Sequence, residues 1–159
     1  MRFARGMGAA CLALLLVACQ STQEPPAEPA PAPAAPPPVG SSAALDSSVI
    51  ITPPDAKVPK QYAAFSGIWA GTWDDMLDAR LAVRTVAANG RVTVTYAWGQ
   101  APGITPGIVD GQGKIGAAKM KLDRFASGVD TVFIMQGDGT LAGTYTVNGV
   151  SHQGVFRRQ

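Results

Sequence analysis

The chain has few of the residues from which catalytic and metal sites are built. Its 159 residues include one histidine, His152, and two cysteines, Cys11 and Cys19, which both precede the part expected to fold. A disulfide framework and a cysteine metal site are therefore excluded from the folded part. No glutamate follows Glu28, and no G-x-S-x-G motif is present. Without a convincing acid/base pair or nucleophile, we expect no catalytic residue, no metal and no cofactor.

The remaining titratable groups have structural interpretations. Asp74, Asp75 and Asp78 are the densest carboxylates. They could hold a hard cation, but a solvated turn is the better interpretation. His152 is expected to be a hydrogen-bonded barrel histidine rather than a catalytic base. Formal net charge is +2, and Arg2 and Arg5 lie in a segment expected to be removed. The remaining chain is close to neutral, which argues against a nucleic-acid partner.

The N-terminus has the layout of a signal peptide over residues 1–18. Arg2 and Arg5 form a positive region, and the apolar run from Met7 to Ala18 is too short to span a bilayer. It ends in Leu16-Val17-Ala18-Cys19, which resembles the lipobox of bacterial lipoproteins. This resemblance implies that Cys19 is lipidated, becomes the first residue and anchors the chain to a membrane. The alternative is a plain secretory signal cut near Ala18. Gln20, rather than Asp, after the cysteine implies the outer membrane, facing the periplasm or the cell surface.

Residues 19–60 are predicted to be a lipidated cysteine followed by a disordered linker. Eleven of the 13 prolines fall here, many of them alternating with alanine between Pro29 and Pro38. Such a segment cannot bury enough apolar surface to fold and favours the extended polyproline II conformation. We interpret it as a stalk, in preference to a ligand for a Pro-rich-motif partner. The apolar stretch Val49-Ile50-Ile51-Thr52 could dock on the folded domain.

Residues 61–159 are predicted to fold as a small all-β domain. The first strand spans Phe65 to Trp73, where Phe65, Gly67, Trp69, Gly71 and Trp73 share one face. Glycines alternating with large aromatics suit a strand that coils tightly inside a barrel. Seven more strands follow, at 79–86, 91–98, 104–109, 114–125, 130–136, 140–147 and 151–158. Asn89-Gly90, Asp110 to Gly113, Gly137 to Gly139 and Asn148-Gly149 are predicted to form tight turns.

Eight strands with short connections predict an antiparallel up-and-down barrel. Phe65-x-Gly67-x-Trp69, with Arg158 at the end of the last strand, resembles the calycin pattern of lipocalins, fatty-acid-binding proteins and avidins. The resemblance implies that Arg158 covers Trp69 at the closed end of the barrel, where a guanidinium stacks on an indole. Arg157 takes this position if the register shifts by one residue.

The opposite end is the predicted binding site. Trp73, Tyr96 and Trp98 could line an apolar mouth for a small apolar or amphipathic ligand. The competing interpretation is a narrow barrel filled by its own side chains. Two classes of function follow, a small-molecule binder and a protein-interaction module, with a structural envelope spacer as a third. The layout also resembles bacterial lipoproteins with a metalloprotease-inhibitor barrel, although the cysteine pair usual in that family's barrel is absent.

Overall fold

The computed structural model describes residues 42–123 and 128–159. Cys19, the predicted signal peptide and the linker up to residue 41 lie outside the described residues. One short helix, α1 (Lys60–Ala63), precedes the strands. The strands are β1 (Gly67–Trp73), β2 (Leu77–Val86), β3 (Arg91–Trp98), β4 (Gly107–Gly116), β5 (Lys119–Leu122), β6 (Asp130–Met135), β7 (Leu141–Val147) and β8 (Val150–Arg158).

The eight strands form one closed barrel in which each strand pairs with its sequence neighbours. All pairs are antiparallel, and β8 returns to pair with β1, from Trp69↔Arg158 to Trp73↔Gly154. Closure leaves no strand edge exposed. The predicted all-β, eight-stranded up-and-down fold is confirmed. The helix α1 was not predicted, and among the described residues no helix is long and apolar enough to cross a membrane.

The inward side chains of β1, together with Phe65 just ahead of it, lie at the centre of the hydrophobic core. Phe65, Trp69 and Trp73 are at most 1% exposed. Between them lie Gly67 and Gly71, where a Cβ atom would meet the Arg158 guanidinium and the Phe156 ring, respectively. Because glycine alternates with a large aromatic residue on this face, the narrow lumen has room for inward side chains of the neighbouring strand. The rest of the core comes from the inward faces of the other strands and includes Leu81, Val83, Val94, Ile115, Met120, Leu122, Phe133, Leu141 and Phe156.

The prediction of a turn at Asp110 to Gly113 was wrong, as was that of one long strand from Lys114 to Phe125. These turn residues lie in the middle of β4, and the chain reverses after Gly116, with Ala117 at φ 53°. Gly113 is extended and not a turn residue. A Cβ atom there would approach the Lys121 carbonyl oxygen to 2.6 Å, so glycine permits close strand pairing at this position. Residues 124–127, at the end of the predicted strand, lie outside the described residues.

Residues ahead of the predicted boundary at residue 61 contact the barrel. Residues 42–59, the outer strap, run along the outside of β2 and β3 from the end near Asp78 to the end near Arg84. The Ser42 amide donates to Asp78 Oδ2 at 2.7 Å, and the Thr52 amide donates to the Arg84 carbonyl at 2.8 Å. Small outward residues permit this contact, and Ala43, Ala82, Thr95 and Ala97 are all buried. The packed part of the chain therefore includes residues that the composition assigned to the linker.

One end of the barrel is closed by the segment that joins the strap to β1. Trp69 Nε1 donates to the Phe65 carbonyl at 2.9 Å. The Arg158 guanidinium carbon lies 4.3 Å from the centre of the Trp69 ring, and its nitrogens donate to the carbonyls of Ala64 and Ser66. The structure thus places Arg158, and not Arg157, over the indole. Gly67 adopts φ +124° beside this guanidinium, a conformation that glycine tolerates.

Candidate functional site

The open end of the barrel, the mouth, is bordered by the loops at 74–76, 99–106 and 148–149. These loops join β1 to β2, β3 to β4 and β7 to β8. The first two residues of the loop predicted at Ala126 to Val129 lie outside the described residues. The mouth is the candidate functional site because the other end is closed by α1, Phe65, Trp69 and Arg158.

Trp73 closes the lumen just below the mouth. Its ring is 1% exposed and meets Tyr145 and Phe156 edge-on, each at a centroid distance of 4.9 Å. Gly143 and Gly154 make room for it, since a Cβ atom at either position would lie within 2.9 Å of the indole. Trp73 is therefore a core residue that forms the base of the mouth, and its ring is not a free wall of an open pocket.

Tyr96 and Trp98 lie on the β3 side of the mouth. The Trp73 indole N–H donates to the Tyr96 hydroxyl at 2.6 Å. Burial raises the pKa of Tyr96 to about 12, against the opposing effect of this hydrogen bond. The Trp98 ring stacks on Tyr96 at 6.0 Å, lies against Gly107 and donates to the Thr105 carbonyl at 2.8 Å. Trp73, Tyr96 and Trp98 are thus brought together as one connected aromatic group.

A second group, Asp74, Tyr145 and His152, lies on the β7–β8 side. The His152 ring stacks on Tyr145 at 4.4 Å, and His152 Nδ1 lies 2.6 Å from Asp74 Oδ2. The other oxygen of Asp74 accepts the Gln153 amide at 2.9 Å. That backbone hydrogen bond, followed by the contact with His152, holds the pKa of Asp74 below its usual value. Burial raises the pKa of Tyr145.

Exposed apolar side chains stand around these groups. Met76 is 73% exposed, Val150 57% and Ile104 36%, and each comes from a different mouth loop or its edge. Leu77, Tyr96 and Tyr145 below them are partly buried against the core. The mouth therefore presents exposed apolar side chains above partly buried aromatic rings, with a polar His152–Asp74 pair at one side. Trp73 fills the lumen below it.

Sequence reasoning found three of the mouth residues and missed Asp74, Tyr145 and His152 as a group. The Asn148-Gly149 turn fixes the hairpin register, which places Tyr145 directly opposite His152. That signal was available from the sequence. The contact with Asp74 depends on the pairing of β8 with β1, which only barrel closure provides. Among the described residues, no group of three or more His, Cys, Asp or Glu side chains could hold a metal ion.

Comparisons with known proteins return little beyond the general fold. No protein-family profile matches the chain, and neither does any curated protein. Among solved structures, a mutant of the fluorescent protein UnaG is similar, with 16% sequence identity and a TM-score of 0.39. The match covers 59% of this chain and 95% of that one. Likeness at this level carries no functional argument, so the function is argued from the mouth itself.

Proposed function

We propose that this protein is a lipid-anchored lipoprotein of a bacterial outer membrane, whose barrel binds a small apolar or amphipathic molecule at its mouth. The anchor rests on the lipobox-like run that ends at Cys19. The binding role rests on the mouth, where exposed apolar side chains stand above partly buried aromatic rings. The proposed role is binding and not catalysis, because the one imidazole of the chain is stacked on Tyr145 and paired with Asp74.

The single observation that carries the binding role is the pairing of apolar and polar groups around the mouth. Leu77, Tyr96 and Trp98 offer apolar contact, while Asp74 with His152 offers a hydrogen-bonding edge. Ligand sites typically combine an apolar lining with a few placed polar groups. Since Trp73 fills the lumen below, the ligand would lie across the mouth and not deep in the barrel.

Native mass spectrometry of the protein extracted from its own envelope tests this proposal. The expected result is an added mass of a small molecule, lost in Trp98→Ala and Tyr145→Ala proteins. Ile108→Ala, which truncates an exposed side chain on the outer wall, is the control and should retain the mass. A barrel that carries no small molecule under conditions that preserve its fold would reject the ligand.

A protein-interaction role is the second candidate, and the filled lumen is the observation in its favour. Trp73, Phe133 and Phe156 occupy the interior as mutual edge-on or tilted neighbours. Exposed Met76 and Val150 could then serve as contact residues for a partner polypeptide. Recovery of a stoichiometric protein partner, lost on Met76→Asp but not on Ile108→Asp, would select this role over the first.

The anchor has an independent test. Mass spectrometry of the processed N-terminus should find Cys19 as the first residue, carrying acyl chains. Cys19→Ala should release the barrel from the membrane fraction, because the buried CH₂ groups contribute about 0.8 kcal/mol each. An unmodified N-terminus would reject the anchor and leave the mouth unaffected.

A further inference from the structure

A row of cationic side chains crosses the outer wall of the barrel on β3, β4 and β5. Strand pairing places Arg91 directly opposite Lys114, and Lys114 directly opposite Lys121. Lys119 lies two residues before Lys121 and shares its face. All four side chains are exposed. We call Arg91, Lys114, Lys119 and Lys121 the basic row.

The basic row is electrostatically unfavourable in the protein alone. Adjacent strands lie about 4.8 Å apart, and like charges directly opposite each other destabilise a sheet. The three opposed groups lie within roughly one Debye length at 0.1 M salt, so solvent ions screen them incompletely. Within residues 42–123 and 128–159, Lys121 has the row's one ion pair, with Asp130 at 3.7 Å. Asp123 follows Lys121 by two residues, and the row keeps a net positive charge.

An exposed aliphatic side chain borders the basic row on the outer wall. Lys119 pairs with Ile134, which is 44% exposed. Ile134 does not contribute to the core, since it points away from the lumen. Cations beside an exposed aliphatic side chain form a surface that fits phosphate groups beside hydrocarbon.

We propose that the wall formed by β4 to β6, with Arg91 at its edge, docks on an anionic phospholipid bilayer. A bilayer satisfies both features at once, because its phosphates face the cations and its interface accepts Ile134. The chain length is consistent with this contact. The residues between Cys19 and Ser42 reach at most roughly 80 Å, so a tethered barrel stays near the membrane. Proximity rests on the proposed anchor, whereas the docking surface itself does not.

The mouth is not the part that docks. Asp74, Asp75 and Asp78 lie in or beside the mouth loop that joins β1 to β2. An anionic surface repels these carboxylates and attracts the basic row. The wall therefore lies against the membrane while the mouth stays open to the side.

The test measures the reaction of Lys119 with an amine reagent in the full acylated chain. Vesicles are made of phosphatidylcholine alone or with phosphatidylglycerol. Each basic group near an anionic surface raises binding about fivefold, so Lys119 modification should fall at least about fivefold on the phosphatidylglycerol vesicles. High salt should restore the reaction. Equal modification on the two kinds of vesicle would overturn the proposal.

Two matched pairs of variants distinguish an effect of the basic row from an effect of the protein's net charge. Lys114→Gln with Lys121→Gln should abolish the protection of Lys119. Lys57→Gln with Lys60→Gln removes the same charge from the strap and α1 and should leave the protection intact. Equal loss in both pairs would mean a non-specific charge effect and would also overturn the proposal. Both pairs should unfold at the urea concentration of the parent or above it, since the Lys114→Gln, Lys121→Gln pair removes a like-charge repulsion.

Two further measurements identify what protects Lys119. Inorganic phosphate, added to phosphatidylcholine vesicles, should not protect Lys119; protection there would assign the basic row to a soluble anion. A chain that fails to float with phosphatidylcholine vesicles would reject the anchor alone. In that case its flotation with phosphatidylglycerol vesicles, and the loss of flotation in the Lys114→Gln, Lys121→Gln protein, still decide the docking surface.

Discussion

Replacing Gly143 with alanine should destabilise the barrel through a steric clash at its centre. An added Cβ atom would lie 2.6 Å and 2.9 Å from two carbons of the Trp73 ring and 3.0 Å from the Phe156 ring. The indole cannot move aside, because Tyr145 and Phe133 also contact it. Overpacking of this kind costs about 1–3 kcal/mol. Reduced freedom of the unfolded chain offsets roughly 0.4–1 kcal/mol of that cost.

The expected net loss is about 1–2 kcal/mol, measured by urea unfolding followed through tryptophan emission. With a typical denaturant slope, the midpoint should fall by about 1 M. Gly116→Ala is the matched control, because no heavy atom lies within 4 Å of its added Cβ atom. Its stability should equal that of the parent or exceed it by up to about 1 kcal/mol, because only the reduced freedom of the unfolded chain acts there.

A double-mutant cycle tests whether the clash is with the indole. Trp73→Phe shortens the ring that an alanine at position 143 would meet. The two changes together should therefore cost less than the sum of their separate costs, by about 1 kcal/mol. Equal stability of the Gly143→Ala and Gly116→Ala proteins would refute the filled lumen, and strict additivity in the cycle would refute the contact with Trp73.

The remaining predictions concern single polar contacts. Arg158→Ala should cost about 2–3 kcal/mol in urea unfolding, because it removes two hydrogen bonds and a cation–π contact, whereas Arg157→Ala should change little. Equal effects would contradict the assigned register. The parent should lose up to roughly 2–3 kcal/mol as pH rises from about 10 to 12, since the folded state disfavours ionised Tyr96; Tyr96→Phe should flatten this loss. Asp74 has a lowered pKa, so its contribution is present above about 4 and should be lost as pH falls below that value, and Asp74→Asn should remove that acid dependence. An unchanged acid profile in that variant would count against the His152–Asp74 contact.

The strands were predicted well where a turn sequence such as Asn-Gly lies next to a segment of alternating inward and outward residues. Asn89-Gly90 and Asn148-Gly149 both form connections between adjacent strands, with Gly90 and Gly149 at positive φ. The alternation from Phe65 to Trp73 correctly indicated which side faces the lumen. The residue types gave a wrong turn prediction at two places in the chain. Asp110 to Gly113 resembles a turn but is extended within β4, while the actual turn uses Ala117, a residue with no strong turn preference.

The mouth was predicted only in part because its contacts depend on barrel closure. Trp73, Tyr96 and Trp98 share inward faces on strands that local pattern identifies. Whether Trp73 is exposed depends on Gly154 on the neighbouring strand β8 and on Gly143 on β7, which no local pattern relates to it. Closure of β8 on β1 brings together residues at opposite ends of the domain sequence. The sequence therefore predicted the fold class more fully than the interior of the barrel.

The outer strap has a mechanical consequence. A pull on the chain ahead of Ser42 acts on the bonds to Asp78 before it reaches the backbone bond from Thr52 to Arg84. Residues 42–52 can detach from this end without loading the hydrogen-bonded strands, whereas Val58 packs in the core and holds the chain there. At full extension, these residues would add roughly 40 Å of reach. Under tension the chain ahead of the barrel can thus lengthen while the barrel and its mouth keep their shape.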